Sequence, residues 1–410
     1  MSTQPWQQPM PEDQFEFMRD LLGAPSPIGL EGAMIDGVML PYLDKSMPSS
    51  WKVHRFRGNA GVVIDTAPEK TDALSVMVIG HADKIRLQVR SIGDDGKIWV
   101  DSDSFLGSTL IGHEMVLFSE DPDSPGSYRR IEGGTVEALG AIHFADAELR
   151  AGKRGITKEM LYLELQLHGS DRKDQVEKLG IRAGDSLILN RKIRRGFAPD
   201  TFYGAYLDNG LGCFVVAEVA RLLAEAGGLK NIRYMGAVAA YEEIGRFGSR
   251  VLTQELRPDV VIGVDVSHDL DAAPGVGDKR FTPVAMGKGY SLSVGSIVSS
   301  HLNSIYQEVS REHGIPFQEV VVGRDTGTDA MAAVLSGIDS AATSIGFPIR
   351  NMHTISESGH TGDVLGSVHS TFRVLQHLDG MNGGKGATAD DFRTGHPRLD
   401  QAAPLAWNAD

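Results

Sequence analysis

The sequence predicts an α/β protein with a mainly parallel mixed sheet flanked by helices and interrupted by a β-rich insertion. Three observations predict it. From Gly196 onward, helical and β-type apolar runs alternate, as in NGLGCFVVAEVARLLAEAG, NIRYMGAVAA, RFGSRVLTQEL and DVVIGVDV. Such alternation favours parallel strands covered by helices on both faces. From about Arg86 to Arg195 the texture changes to short alternating segments punctuated by SIGDDGK, IEGG and RAGD, which suits a β-rich insertion. Ahead of it, GVVID and ALSVMVIG are compact apolar runs of strand length.

In chain order, residues 13 to 44 predict two helices, with Phe15, Met18, Leu21 and Leu22 on one and Met34, Ile35, Val38 and Met39 on the other, separated by the SPIGLEG loop. The strands GVVID and ALSVMVIG follow, the second ending at His81. After the insertion the α/β pattern resumes and continues through SLSVGSIVSSHLNSIYQEVSREHG, PFQEVVVG, TDAMAAVLSG and IDSAATSIG. The predicted organisation is a discontinuous catalytic domain, residues 1–85 plus 196–385, around an inserted domain, residues 86–195. The polar, Gly/Pro/Ala-rich residues 386–410 predict a mobile tail or a docking strap.

The chain has 410 residues, with 41% hydrophobic and 23% charged, which is ordinary globular usage for a two-domain protein. With Lys+Arg 40 against Asp+Glu 54, the net charge of -14 disfavours nucleic acid or an anionic membrane as the main partner. The single cysteine, Cys213, excludes an internal disulfide framework and agrees with a reducing cytoplasm. MSTQPWQQPMPEDQ lacks the features of a signal peptide, and no apolar run approaches a membrane span. A cytoplasmic protein is expected.

The informative motifs sit at predicted strand exits. Glu242 and Glu243 follow NIRYMGAVAA, an arrangement that presents one carboxylate to a metal and the other to a water. His81 and Asp83 end ALSVMVIG, and alternation puts both side chains on one side. Asp208 in LDNG fits a ligand role or a plain Asp-Asn-Gly turn. Asp265 interrupts the apolar strand GVDVSH, where a carboxylate without a partner would be costly. His353 follows a strand through FPIRNM, which favours it over His268, His301, His313, His360 and His369. His301, His313 and His369 fall on helices and read as surface residues, whereas His268 and His360 lie in loops near the proposed site.

A dinuclear hydrolytic centre needs two ions roughly 3.5 to 4 Å apart, held by His and carboxylate ligands with a bridging carboxylate and water. His81, Asp208, Glu243, Asp265 and His353 could supply it. Other chemistries lack their residues: there is no GxSxG elbow, no phosphate loop and no HExxH helix, since GHEM at Gly112 to Met115 has no second His.

Taken in order, LLGAPSPIGLEG, GHAD, LDNGLGC, EEIGRFGS, DVSHD, GTDA and RNMH resemble the M42 family of metalloaminopeptidases, the glutamyl and tetrahedral aminopeptidase group. The resemblance covers nearly the whole chain. It implies a zinc-exopeptidase-like fold with an inserted β-barrel-like domain used for dimerisation, and assembly of dimers into dodecamers. It also implies that Asp208 bridges two metals, that His81 and Asp265 complete one site, and that Glu243 and His353 complete the other. Glu242 would be the general base, Asp83 would fix the tautomer of His81, and the Asp208–Asn209 peptide would be cis.

One departure bears on substrate. The family follows its His-x-Asp with Glu and, after one apolar residue, Gly, whereas HADKIRL places Lys84 and Arg86 there. These two cations, with His268 and with Asp329 of GTDA, are the candidates for substrate contact. The resulting expectation is an aminopeptidase with two divalent ions per chain, zinc first and cobalt or manganese next, hydrolysing short peptides through a metal-bridging water. The alternatives are a metallohydrolase of a small N-acylated or amidated metabolite and a non-catalytic assembly or binding protein on the same fold. The first of these would suit a bacterial subfamily associated with an N-acetylglutaminylglutamine amide osmolyte.

Overall fold

The computed structural model describes residues 4–393, apart from 103 and 274–281. Its strands, in chain order, begin with β1 Lys52–Arg55, β2 Gly61–Asp65 and β3 Ser75–His81. Within the insertion come β4 Leu87–Ile92, β5 Ile98–Ser102, β6 Glu114–Glu120, β7 Tyr128–Glu137, β8 Tyr162–Glu164 and β9 Ser186–Leu189. The remainder are β10 Arg194–Arg195, β11 Thr201–Gly204, β12 Arg233–Ala239, β13 Val260–His268, β14 Tyr290–Val294, β15 Phe317–Val321, β16 Ala341–Ile349 and β17 Glu357–His360.

Among the described residues the central sheet runs β1-β2-β12-β3-β13-β16-β14-β15. Its four middle strands, β12, β3, β13 and β16, are mutually parallel, so their carboxyl ends open on one edge. Both faces are covered, which is why these strands read as continuous apolar runs rather than alternating ones. Val76 and Val78 join one core with Leu211, Phe214 and Val215 of the Leu207–Glu225 helix, while Met77 and Ile79 join another with Leu252 and Ala330. Each such buried side chain contributes about 1.5–3 kcal/mol.

The insertion strands close into a barrel, β4-β5-β8-β7-β6-β9, filled by Leu87, Val89, Ile98, Val100, Leu117, Leu163 and Leu187. Closure removes the exposed strand edges that a six-strand sheet would otherwise present. A small sheet, β10-β11-β17, pairs the two strands that follow the barrel with a strand that follows β16.

The second N-terminal helix is irregular: Gly32–Met34 passes through a π turn, Ile35–Met39, into Leu40–Leu43. Pro41 has no N–H to give the carbonyl four residues back, so the register widens there. His369 also differs from expectation. It is half-buried against the Trp6 ring, with centroids 5.5 Å apart, because the Pro5–Gln7 turn packs on the Thr361–Gly384 helix. The expected tail begins with packed chain: Ala387 and Phe392 are buried and Phe392 meets the His301 ring. Residues 394–410 of that segment lie outside the described residues. Among the described residues no helix is long and apolar enough to cross a membrane.

Candidate metal centre

The candidate ligands gather at the carboxyl ends of the four parallel strands. His81 is the last residue of β3, Asp265 lies in β13, Glu242 and Glu243 follow β12, and His353 follows β16. Asp208 enters from the start of the Leu207–Glu225 helix, which approaches the sheet closely through glycines. A Cβ at Gly80 would lie 2.8 Å from the Gly212 carbonyl carbon, and one at Gly212 would lie 2.5 Å from both Asn209 Oδ1 and Val264 O. Asn209 Nδ2 donates to Val264 O at 2.8 Å, which ties this turn to β13. The Asp208–Asn209 peptide is cis.

Asp208 sits between the two histidines. Its Oδ1 lies 3.3 Å from His81 Nε2 and its Oδ2 lies 3.1 Å from His353 Nε2. His81 Nε2 is also 3.9 Å from Asp265 Oδ1 and 3.7 Å from Glu242 Oε2, while His353 Nε2 is 3.6 Å from Glu243 Oε2. Two triads with converging ligand atoms result, His81–Asp208–Asp265 and Asp208–Glu243–His353, sharing Asp208.

The electrostatics fit a divalent cation. Burial raises the Asp265 and Glu243 carboxyls well above their ordinary range, and neighbouring Asp208 adds to it. Burial also pushes Glu242 up to about 8, assisted by the charges of Asp329, Asp208 and Asp83 against the opposing His81. Asp208 goes the other way: despite burial, hydrogen bonds from His353 and His81 hold it well below the usual carboxylate range. Among the described residues Glu243 Oε1 is buried without a hydrogen-bond partner. Crowded carboxylates, two imidazoles and an orphaned buried oxygen are a donor set that a divalent metal satisfies.

Asp83 is placed differently from expectation. His81 Nδ1 lies 3.1 Å from the backbone carbonyl of Asp83 and 3.6 Å from its carboxylate. The carboxylate instead accepts the peptide N–H groups of Glu242 at 3.0 Å and Glu243 at 3.1 Å. The turn it braces has left-handed Tyr241 and Arg246, and Arg246 pairs with Asp325 through two contacts of 2.7 Å.

A cavity of about 940 Å³ contains the cluster and is walled by Val266, Leu270, Val284, Ile349 and Met352. Of the four substrate candidates, His268 lines it and is exposed. Asp329 does not. It is buried in the Asp329–Met331 turn beneath the Thr326–Thr328 wall, and burial raises its carboxyl to about 6. Lys84 points elsewhere too. Its buried ammonium donates to the carbonyls of Leu22, at 2.7 Å, and Ala24, and lies over the Tyr206 ring. Those are unpaired carbonyls at the end of the Glu12–Gly23 helix, which a lysine suits. Arg86 donates to Ile28 O at 3.0 Å and Ser186 Oγ at 2.7 Å, joining the N-terminal loop to the barrel. His360 caps the Thr361–Gly384 helix and meets Asp200 at 3.1 Å. Cys213 is buried, its thiol donating to His81 O at 3.0 Å.

Two residues escaped the sequence reading. Arg350, on the cavity wall, is held by Asp269 at 2.7 Å. Glu357, four residues beyond His353, is buried and accepts from Leu207 N at 2.7 Å and His353 N at 2.9 Å. The inward alternation of Glu357 and Gly359 in SESG is the one sequence signal that marks it.

A mixed sheet whose parallel middle strands gather these acid and imidazole groups at their carboxyl ends, with a barrel inserted in the chain, defines an α/β protein with a candidate metal centre. The chain belongs to the M42 glutamyl aminopeptidase family, whose model matches residues 61–369. It is an enzyme of the peptidase class. A lysyl aminopeptidase of Pyrococcus furiosus is 28% identical over 369 residues, covering 90% of this chain and 98% of that one. Among solved structures, aminopeptidase APDkam598 from Desulfurococcus kamchatkensis superposes with a TM-score of 0.77 at 20% identity, covering 95% of this chain and 99% of that one. The TET1 peptidase of Pyrococcus horikoshii, which can assemble into a tetrahedron or a large octahedral shell, gives 0.71 at 16% identity and covers 88% and 99%. The shared fold is thus the barrel-bearing α/β architecture of these aminopeptidases.

Proposed function

We propose that this chain is a dinuclear metal-dependent aminopeptidase that removes N-terminal residues from short peptides. The observation that carries it is Asp208, whose two oxygens face two histidines and thereby link two ligand triads. In this reading His81, Asp208 and Asp265 hold one ion, and Asp208, Glu243 and His353 hold the other, zinc being the first choice for such a nitrogen and oxygen set. When bound, the ions acidify a water and polarise the scissile carbonyl.

The chain's own residues do the rest. Glu242 stands beside the triads without belonging to either, and its proton affinity is raised by burial. It is the group that takes a proton from the attacking water and returns it to the leaving amine. Asp83 holds both glutamates in place through their peptide N–H groups. The apolar wall of the cavity suits an uncharged, apolar N-terminal side chain, since Arg350 and Asp269 on that wall already satisfy each other. Among the described residues the wall beside Val266, Leu270, Val284, Ile349 and Met352 is apolar, and a charged side chain resting on that part would lose solvation.

The metabolite-hydrolase alternative rested on Lys84 and Arg86, and neither lines this cavity. Self-association is part of the proposal. Leu106, Tyr128 and Phe144 of the insertion are large apolar side chains left exposed, and the P. horikoshii relative assembles into shells. A reducing cytoplasmic setting suits the single buried cysteine. The deciding experiment compares release of the first residue from a free and an N-acetylated peptide by zinc-loaded chain. Cleavage of the free peptide alone supports the reading, and equal or faster cleavage of the blocked one contradicts it.

A further inference from the structure

Asp208 and His353 come from segments 145 residues apart, yet their ligand atoms lie 3.1 Å from each other. Asp208 has non-helical φ/ψ at a break in the Leu207–Glu225 helix, and His353 lies in the turn between β16 and β17. Tyr206, before the Asp208 turn, has φ 66°, and His353 itself has φ 59°, with Asn351 at 58°. Non-glycine residues keep such left-handed backbone where surrounding contacts over-determine it.

One side chain contacts both turns. Glu357, the first residue of β17, is 2% exposed. Its Oε2 accepts the N–H of Leu207 at 2.7 Å and its Oε1 accepts the N–H of His353 at 2.9 Å. β17 is itself anchored, antiparallel to β11 through Phe202–Gly359 and its neighbours, and Ser358 bridges Arg350. The carboxylate is therefore a fixed point to which the backbones of two candidate ligands are tied. Asp83 does the same for Glu242 and Glu243 on the opposite side of the cluster.

We propose that Glu357 is a positioning residue that sets the separation of Asp208 and His353 and so governs the affinity of the metal site those two share with Glu243. The inference rests on the dinuclear reading above. Glu357 touches neither substrate nor, in this arrangement, metal. It acts by presenting two acceptor oxygens to two peptide N–H groups, a task a glutamine cannot perform because one of its ends carries hydrogens. An aspartate keeps the charge but is one methylene too short to span both turns.

The test is titration of metal-stripped, full-length protein with Zn²⁺ against a chromophoric chelator, with thermal melting of each apo variant in parallel. Wild type is expected to take up two zinc ions. Glu357→Gln and Glu357→Asp are expected to weaken the site of Asp208, Glu243 and His353 about 10–100-fold, the usual effect of removing a ligand's supporting partner, and to weaken the His81, Asp208 and Asp265 site, which shares only Asp208 with it, distinctly less. Asp379→Asn is the control, because Asp379 likewise accepts backbone N–H groups, those of Lys230, Asn231 and Ile232, remote from the cluster. It is expected to lower the melting temperature and leave both zinc affinities unchanged. If Glu357→Gln does not fold, Glu357→Asp carries the comparison. Two wild-type zinc affinities in either folded variant overturn the positioning role, as does a uniform loss at both sites that merely follows the melting temperature. Folded wild-type chain that binds fewer than two zinc ions overturns the dinuclear reading instead, a distinct result.

Discussion

Asp83 Oδ1 accepts the peptide N–H of Glu242 at 3.0 Å. The contact joins the end of β3 to the turn after β12, its parallel neighbour. The residue two places beyond His81 therefore acts on the glutamate turn more directly than on the imidazole, whose Nδ1 is served by a backbone carbonyl. Replacing Asp83 leaves two peptide N–H groups without acceptors, at about 1–3 kcal/mol each. Asp83→Ala should lower kcat about 10–100-fold and reduce the melting temperature. Steady-state kinetics with metal analysis checks this, and a wild-type kcat in a metal-loaded Asp83→Ala protein would contradict it.

The cavity wall predicts side-chain preference. Chromogenic amides of leucine should be cleaved with at least about tenfold higher kcat/KM than those of lysine or glutamate, because Val266, Leu270, Val284, Ile349 and Met352 give the described wall an apolar stretch on which a charge loses solvation. A preference for lysine or glutamate would count against the proposed pocket.

Arg86 predicts a stability effect without a specificity effect. Its contacts with Ile28 and Ser186 hold the N-terminal loop against the barrel. Arg86→Ala should destabilise the protein by about 1–3 kcal/mol while the ratio of rates on acidic and neutral substrates stays constant. A changed ratio at unchanged stability would restore Arg86 as a substrate contact.

His369 predicts a pH effect. Burial lowers its pKa from 6.5 to about 4, helped by the charges of Arg373 and Arg221. The unfolded chain therefore binds the proton more readily between these values, so the contribution of neutral His369 is complete above pH 6.5 and is lost as pH falls toward 4. Denaturant melts of wild type and His369→Phe at pH 7 and pH 4.5 should show the variant losing about 1–2 kcal/mol less stability on acidification. Equal losses would refute the assignment.

Much of the centre was legible because its residues break apolar patterns. Asp265 interrupts a buried strand, His81 terminates one, and Glu242 and Glu243 follow one, so parallel-sheet topology alone brings them to one edge. Asp208 needed more, since Asp-Asn-Gly reads equally well as a turn and only the glycine-mediated approach of its helix to β3 and β13 carries it to the site. Lys84 was misread because an ammonium satisfied by the last carbonyls of a distant helix leaves no local sequence trace. Glu357 was missed for a similar reason: its partners lie 150 residues back and four residues back, and the pairing exists only after β17 has docked.

The two glutamates of the acidic pair stand differently toward the triads. Glu243 contributes an oxygen to one triad, and Glu242 contributes to neither. Glu243→Gln should therefore lose one metal ion per chain, which metal analysis after dialysis would show. Glu242→Gln is the most direct measurement of all, scored for metal content and turnover on one preparation. Glu242→Gln should keep two metal ions per chain, as in wild type, with kcat reduced about 10²–10⁴-fold. Near-normal turnover in that variant, or metal loss equal to that of Glu243→Gln, would contradict it.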